Sequence, residues 1–200
     1  MPILSQGCQI CAQILTSNYT SAKICGACLK QAPAYQKIYA LFPYQPPISN
    51  LIIRLKFQHD LCIANLFGEL ICERIQQHWY KDKPLPDLII PIPLHKERLR
   101  ERGFNQSLEI AKVIAKTLQV PLDYRSTMRI KATAAQSGLS ALKRKINIHQ
   151  AFKIAKNYDN LSIAVVDDVV TTGHTIQAFC AALQSHKAKK IDIWCSARRE

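Results

Sequence analysis

The sequence predicts an α/β fold in which helices cover a parallel sheet, with a small zinc-binding module at the N-terminal side. Three observations carry that expectation. Leu161 and Ile163 to Val166 make a largely apolar run, as a strand buried on both faces requires. Asp167-Asp168, the short loop Thr171-Thr172-Gly173 and then Ile176, Phe179, Cys180 and Leu183 follow it, the last four spaced i, i+3, i+4, i+7 along one helix face. Far upstream, Cys8-x-x-Cys11 and Cys25-x-x-Cys28 stand with thirteen residues between the pairs.

Two hundred residues suffice for one core domain and a small appendage. An apolar fraction of 48% can fill that core and excludes a compositionally disordered chain. The 27 Lys and Arg against 14 Asp and Glu give a net charge of +13, which suits a polyanionic partner, either nucleic acid or a highly phosphorylated small molecule. No basic segment and apolar run precede a cleavage site, and no stretch approaches the ~18–20 apolar residues that span a bilayer. The expectation is a cytoplasmic protein without membrane insertion, its cysteines reduced or metal-bound.

Residues 1–33 read as the metal module. One CxxC is equally a redox pair, but two at this spacing favour structural Zn²⁺ in a zinc-ribbon-like site. Cys8, Cys11, Cys25 and Cys28 would fill the coordination sphere and leave no open position for catalysis. Closing such a site can fold a segment too small for its own core. The other cysteines, Cys62, Cys72, Cys180 and Cys195, lie among apolar residues and read as buried thiols.

Residues 34–86 read as a connecting strand and helices. Tyr39 to Tyr44 suits a strand, Pro46-Pro47 a turn, and helices follow at about 48–56 and 61–79. In the second, Leu66, Leu70 and Ile71 have helical spacing, with Ile63 and Ile75 near the same face. Lys56, closing the first, reads as a solvated cation at a helix C-terminus. Lys81-Asp82-Lys83-Pro84-Leu85-Pro86 is a linker.

Residues 87–200 read as the core. Asp87 to Ile90 is a second buried strand, and the prolines of Pro91-Ile92-Pro93-Leu94-His95 cannot continue a central ladder. Arg98, Arg100 and Arg102 fall in the loop beyond, where an α/β fold opens its ligand crevice, and Arg offers a bidentate fork to pyrophosphate. A helix runs to about Leu118 with Leu108, Ala111, Ala115 and Leu118 on its buried side. Ile191 to Cys195 is the last strand, with Trp194 in the core.

The stretch from Leu161 to Thr175 has the chemistry of a phosphosugar site. Backbone N–H groups in a glycine-containing loop, backed by a helix N-terminus near Thr175, cradle a phosphate. Gly173 lets the backbone approach the anion. Two carboxylates repel a phosphate, so Asp167 and Asp168 should face something else, either vicinal ribose hydroxyls or a hydrated Mg²⁺.

The same stretch closely resembles the phosphoribosyl pyrophosphate (PRPP) motif of type I phosphoribosyltransferases. The resemblance implies a type I phosphoribosyltransferase-like core with Asp167 and Asp168 on the ribose hydroxyls and Val170, Thr171, Thr172, Gly173, His174 and Thr175 around the 5′-phosphate. His174 departs from the motif, which usually has a smaller residue there. Pro91-Ile92-Pro93-Leu94, Arg98 and Arg102-Gly103-Phe104-Asn105-Gln106 resemble the hallmark of the ComF family of competence proteins. Arg129, Thr133-x-x-Gln136-x-x-Leu139, Arg144-x-x-Asn147 and Phe152 agree with it, as do the double CxxC and the PRPP motif.

That resemblance implies a protein of natural transformation acting on incoming single-stranded DNA, with PRPP and Mg²⁺ bound in the core. Leu94, His95, Arg98 and Arg102 are its pyrophosphate-side candidates. Between Tyr124 and Tyr158 stand eight Lys or Arg and no Asp or Glu. In type I phosphoribosyltransferases this region is a hood over PRPP, which makes Lys131, Gln136, Lys143, Arg144 and Lys145 hood or DNA candidates. Competence or recombination proteins are the implied protein partners. An active phosphoribosyltransferase of unknown acceptor and a PRPP-sensing adaptor without turnover stay open as alternatives.

Overall fold

A computed structural model describes residues 7–15, 23–131 and 151–199. Gln136, Lys143, Arg144 and Lys145 lie outside them. Four parallel strands form the main sheet: β1 (Lys37–Pro43), β2 (Leu88–Pro91), β5 (Ser162–Val170) and β6 (Lys190–Arg198), in the order β1-β6-β5-β2. A short antiparallel pair, β3 (Thr127–Arg129) and β4 (Phe152–Ile154), stands apart from it. The helices are α1 (Gly26–Lys30), α2 (Ile48–Gln58), α3 (Cys62–Arg74), α4 (Lys96–Arg102), α5 (Gln106–Leu118) and α6 (His174–Ser185). A wider π-helical turn, Ile75–Trp79, extends α3.

Both faces of the sheet are covered, which is why its strands are apolar without alternation. On one face α2, α3 and α5 bury Ile52, Leu55, Phe67, Ile71, Ile110 and Ile114 against Ala164, Val166 and Trp194. Gly68 sets the spacing of α3 and α5, since a Cβ there would stand 2.6 Å from Val113 Cβ. On the other face α6, Phe152 and the cysteine-bearing segment pack on Ile163, Val165 and Ile193. Trp194 is fully buried, as expected, edge-on to Tyr80. The Tyr80 hydroxyl donates to the buried Asp192 at 2.7 Å.

Several expectations are corrected. The basic stretch after β2 is the helix α4, not a loop. β5 does not stop at the acids, because β6 runs on to Arg198 and pairs Asp167 with Cys195 and Val170 with Arg198. The α-helical part of the second connecting helix covers only 62–74 of the expected 61–79. α6 starts at His174, one residue early. Leu66 and Cys62 are exposed rather than buried, and Leu108 and Leu118 are only half-buried, Ile110 and Ile114 taking the core face of α5.

Asp123 ties down both described ends of the basic segment. Its Oδ1 accepts from the N–H groups of Arg125 and Ser126, and its Oδ2 from the Tyr158 hydroxyl and Lys156 Nζ at 2.7 Å. Burial alone would raise this carboxyl, but hydrogen bonds from Lys156 and Ser126 prevail and hold it down at about 2. A depressed carboxylate stabilises the fold above its unfolded pKa and loses that contribution as pH falls through the folded one. Unfolding measured between pH 5 and 2 should therefore show wild type losing on the order of 1–2 kcal/mol below about pH 4, a loss absent in Asp123→Asn. Parallel acid profiles for the two proteins would count against this role.

Candidate functional site: an acid pair beneath an anion loop

The sheet opens where its prolines dictate. β2 pairs with β5 only as far as Pro91 opposite Val166, and Ile92 N–H makes a last bond to Val166 O at 2.9 Å. Beyond that point β5 keeps its β6 partner on one side, and on the other its edge faces a cleft of about 140 Å³. Asp167, Asp168 and residues 169–176 of the strand, loop and α6 line it, opposite Ile92, Leu94, Gln106, Ser107 and Arg129.

The loop is built to expose backbone N–H groups. Gly173 takes φ +78° at the start of α6, a left-handed conformation that costs other residues roughly 1–2 kcal/mol. α6 then begins with its first N–H groups unsatisfied by helical partners, a setting favourable to anions. Thr172 Oγ1 and His174 Nδ1 lie 3.0 Å apart on the exposed rim. Behind the loop, the buried Arg198 guanidinium donates to the carbonyls of Val170, Thr171, Arg199 and Cys11.

The acids differ in surroundings. Asp168 is 2% exposed. Its Oδ1 accepts from Gln106 Nε2 at 3.1 Å, and its Oδ2 forms an ion pair with Lys56. Asp167 accepts from Ser107 Oγ at 2.9 Å and from the Asp168 N–H. Burial, and after it the charge of Asp168, hold the Asp167 carboxyl well above the usual carboxylate range, against an opposing pull from Lys56 and Ser107. Asn105 positions these donors: it caps α5 through Ser107 N–H and donates to Ile92 O at 2.9 Å.

At the other end of the chain, the sulfurs of Cys8, Cys11, Cys25 and Cys28 all lie within 4.8 Å of one another. Tetrahedral Zn–S bonds of ~2.3 Å place sulfurs about 3.8 Å apart, so this donor set fits Zn²⁺. Cys25 N–H also points at Cys8 Sγ, 3.3 Å away. Cys8 and Cys11 are buried in the same cluster as Phe179 and Cys180 of α6, so the cysteine knuckle packs behind the helix that carries the loop.

Residues 105–200 match the phosphoribosyl transferase domain family. Competence protein F of Haemophilus influenzae is 35% identical over 184 residues, which cover 88% of this chain and 79% of that protein. The chain belongs to the ComF family. This ComF protein is likewise 35% identical over 175 residues to the DNA utilization protein YhgH of Salmonella typhi, covering 87% and 77% of the two chains. Among solved structures, glutamine PRPP amidotransferase of B. subtilis matches 66% of the ComF chain and 25% of its own, at 12% identity and a TM-score of 0.46. The core is a helix-covered parallel sheet bearing the phosphoribosyl transferase domain, as the sequence predicts.

The cleft of the ComF protein gathers some of the expected residues and leaves others out. Asp167, Asp168, Val170 to Thr175 and Leu94 line it together. His95 is buried at the start of α4, its Nδ1 3.4 Å from Glu97. Arg98 stands exposed near Glu101. Arg102 lies over the Phe57 ring, 5.3 Å from its centroid, and donates to Gln106, so its hydrogen-bond route to Asp168 runs through that side chain. Lys131 is exposed beside β3. Lys56, Ser107 and the wall position of Arg129 were not anticipated. Lys56 corrects the reading as a solvated cation, since its side chain is 20% exposed and its ammonium is committed to Asp168. The RGFNQ run marked Gln106 but not Ser107, whose one signal is its place two residues after an N-capping Asn.

Proposed function

We propose that this ComF protein is a competence protein of natural transformation that acts in the cytoplasm on incoming single-stranded DNA and binds PRPP, with Mg²⁺, in the cleft beneath the anion loop. One observation carries the reading: a hydroxyl-accepting acid pair and an N–H-rich loop converge on a single opening, as the two halves of a ribose 5-phosphate require. Asp167 and Asp168 would meet the ribose hydroxyls, and the N–H groups from Val170 to Thr175 the 5′-phosphate. Leu94, with Arg129 behind it, borders the pyrophosphate side. Mg²⁺ would be held chiefly by the phosphates and by Asp167, since Asp168 is engaged by Lys56 and Gln106. The four thiolates would hold a structural zinc.

The net charge of +13 supports the DNA part, because cations that neutralise phosphates release counterions. The names of the relatives, a competence protein and a DNA utilization protein, point the same way. We assign residues 1–33 to the metal module, 34–86 to the connecting strand and helices and 87–200 to the ligand-binding core, with competence or recombination proteins as further partners.

Calorimetry with PRPP and Mg²⁺ should give saturable binding to the wild type. In Asp167→Ala/Asp168→Ala it should be weakened by roughly 100-fold or more, the effect of two hydrogen bonds to charged groups. A folded wild type that does not bind PRPP would overturn this reading of the cleft.

A further inference from the structure

We propose that Lys56 is the built-in counter-ion of the cleft: it neutralises Asp168 as a divalent cation would, so that a sugar monophosphate binds without metal. The inference rests on the phosphosugar reading above and adds to it a residue from outside the matched domain.

The geometry is specific. α2 buries Ile48, Ile52 and Leu55 against the sheet, so the next residue, Lys56, leaves the helix at the margin of that buried face. Its side chain is largely covered and its ammonium meets Asp168, whose side chain is 4% exposed. The same helical turn reaches the same carboxylate by a second route. Phe57 carries Arg102 on its ring, Arg102 donates to Gln106, and Gln106 donates to Asp168. His59, the left-handed cap of α2, packs edge-on to Phe104 and anchors the turn. Lys56 and Gln106 thus hold one acid from two directions, and the contacts of Phe57 and His59 brace the turn that carries Lys56.

Electrostatics gives that cation a task. Two adjacent carboxylates beside an anion loop oppose the phosphate the loop would hold. Asp167 is supported by the Ser107 hydroxyl and the Asp168 N–H, both neutral donors. Asp168 meets a cation, the Lys56 ammonium, which neutralises it from within. A divalent ion then has no anionic site to fill at Asp168, and its remaining place is between a ligand pyrophosphate and Asp167. A ligand without pyrophosphate should not need it.

Ribose 5-phosphate is therefore the probe, titrated by calorimetry in EDTA and again in Mg²⁺. Wild type should bind in both media with affinities within about threefold. Lys56→Met should bind about 30-fold more weakly or worse in EDTA, the effect of stripping one partner from a buried pair, and recover most of that loss in Mg²⁺. Lys56→Arg, which keeps the charge, should retain metal-free binding. Equal binding by Lys56→Met and wild type in EDTA would overturn the proposal while leaving the phosphosugar site intact. So would an equal loss in both media, which marks a merely structural ion pair. Should Lys56→Met not fold, wild type decides alone, since a strict need for Mg²⁺ overturns the counter-ion role and metal-free binding supports it. A wild type that binds neither ribose 5-phosphate nor PRPP removes both readings at once.

Discussion

Arg198→Met is expected to destabilise the chain by about 3–5 kcal/mol and to loosen two regions far apart in sequence. Arg198 is 6% exposed, and the described partners of its guanidinium are backbone carbonyls of Cys11, Val170, Thr171 and Arg199. A methionine fills much of the volume but donates nothing, so buried carbonyls lose a charged donor. Hydrogen bonds to charged groups contribute about 1.5–3 kcal/mol each, and a total stability of ~5–15 kcal/mol makes this loss severe. Urea unfolding should show it directly. Amide exchange should accelerate together in residues 170–175 and around Cys11, because one side chain holds both. Arg198→Lys should fall between, since an ammonium lacks the planar fork that serves several carbonyls. Unchanged protection of either region would refute the link.

Removing the thiolates is expected to have a comparable or larger effect. The purified protein should contain one zinc per chain, and Cys8→Ser/Cys11→Ser should contain none. Zinc binding contributes on the order of 10–16 kcal/mol in small peptide sites. Here the ligands also belong to a core cluster with Phe179, Cys180 and Ile193. The loss should therefore not stay local: the unfolding midpoint of the whole chain should drop by many degrees, and α6 should lose exchange protection along with the knuckle. Ile38 N–H bonded to Ile10 O at 2.7 Å, and Ala34 N–H to the Gln177 side chain at 3.0 Å, are further routes for it. Zinc-free protein with wild-type stability would show that the cysteines are only packed thiols.

What was legible in the sequence was local and strongly patterned. An apolar run, paired acids, a glycine loop and a helical stripe specify β5, the loop and α6 with little help from the rest of the fold. The paired CxxC spacing announces the sulfur cluster in the same way. Illegible features depend on partners distant in sequence. Val169 and Val170 look like loop because two acids interrupt the apolar run, and only β6 supplies the ladder that makes them strand. α4 has Leu99 alone among charged residues and so no apolar stripe to reveal it. Its stop, Gly103 at φ +72°, was the available hint. Lys56 resembles any helix-terminal lysine until the strand order places α2 over the end of β5. The site therefore read best where it is contiguous and worst where another element crosses it.

The order β1-β6-β5-β2 also sets when the molecule can close. Within the main sheet β1 pairs with β6 alone, with Lys37 opposite Asp192 and Pro43 opposite Arg198. The partner of the first of the four sheet strands is thus the last of them to be synthesised, and such distant parallel pairings are slow to form. Until β6 arrives, β1 has no neighbour in the main sheet, β5 lacks the ladder that orders its acids, and the knuckle lacks Arg198. Strand, anion loop and cysteine cluster are completed by one late event. Nascent chain should acquire the cleft all at once rather than piece by piece.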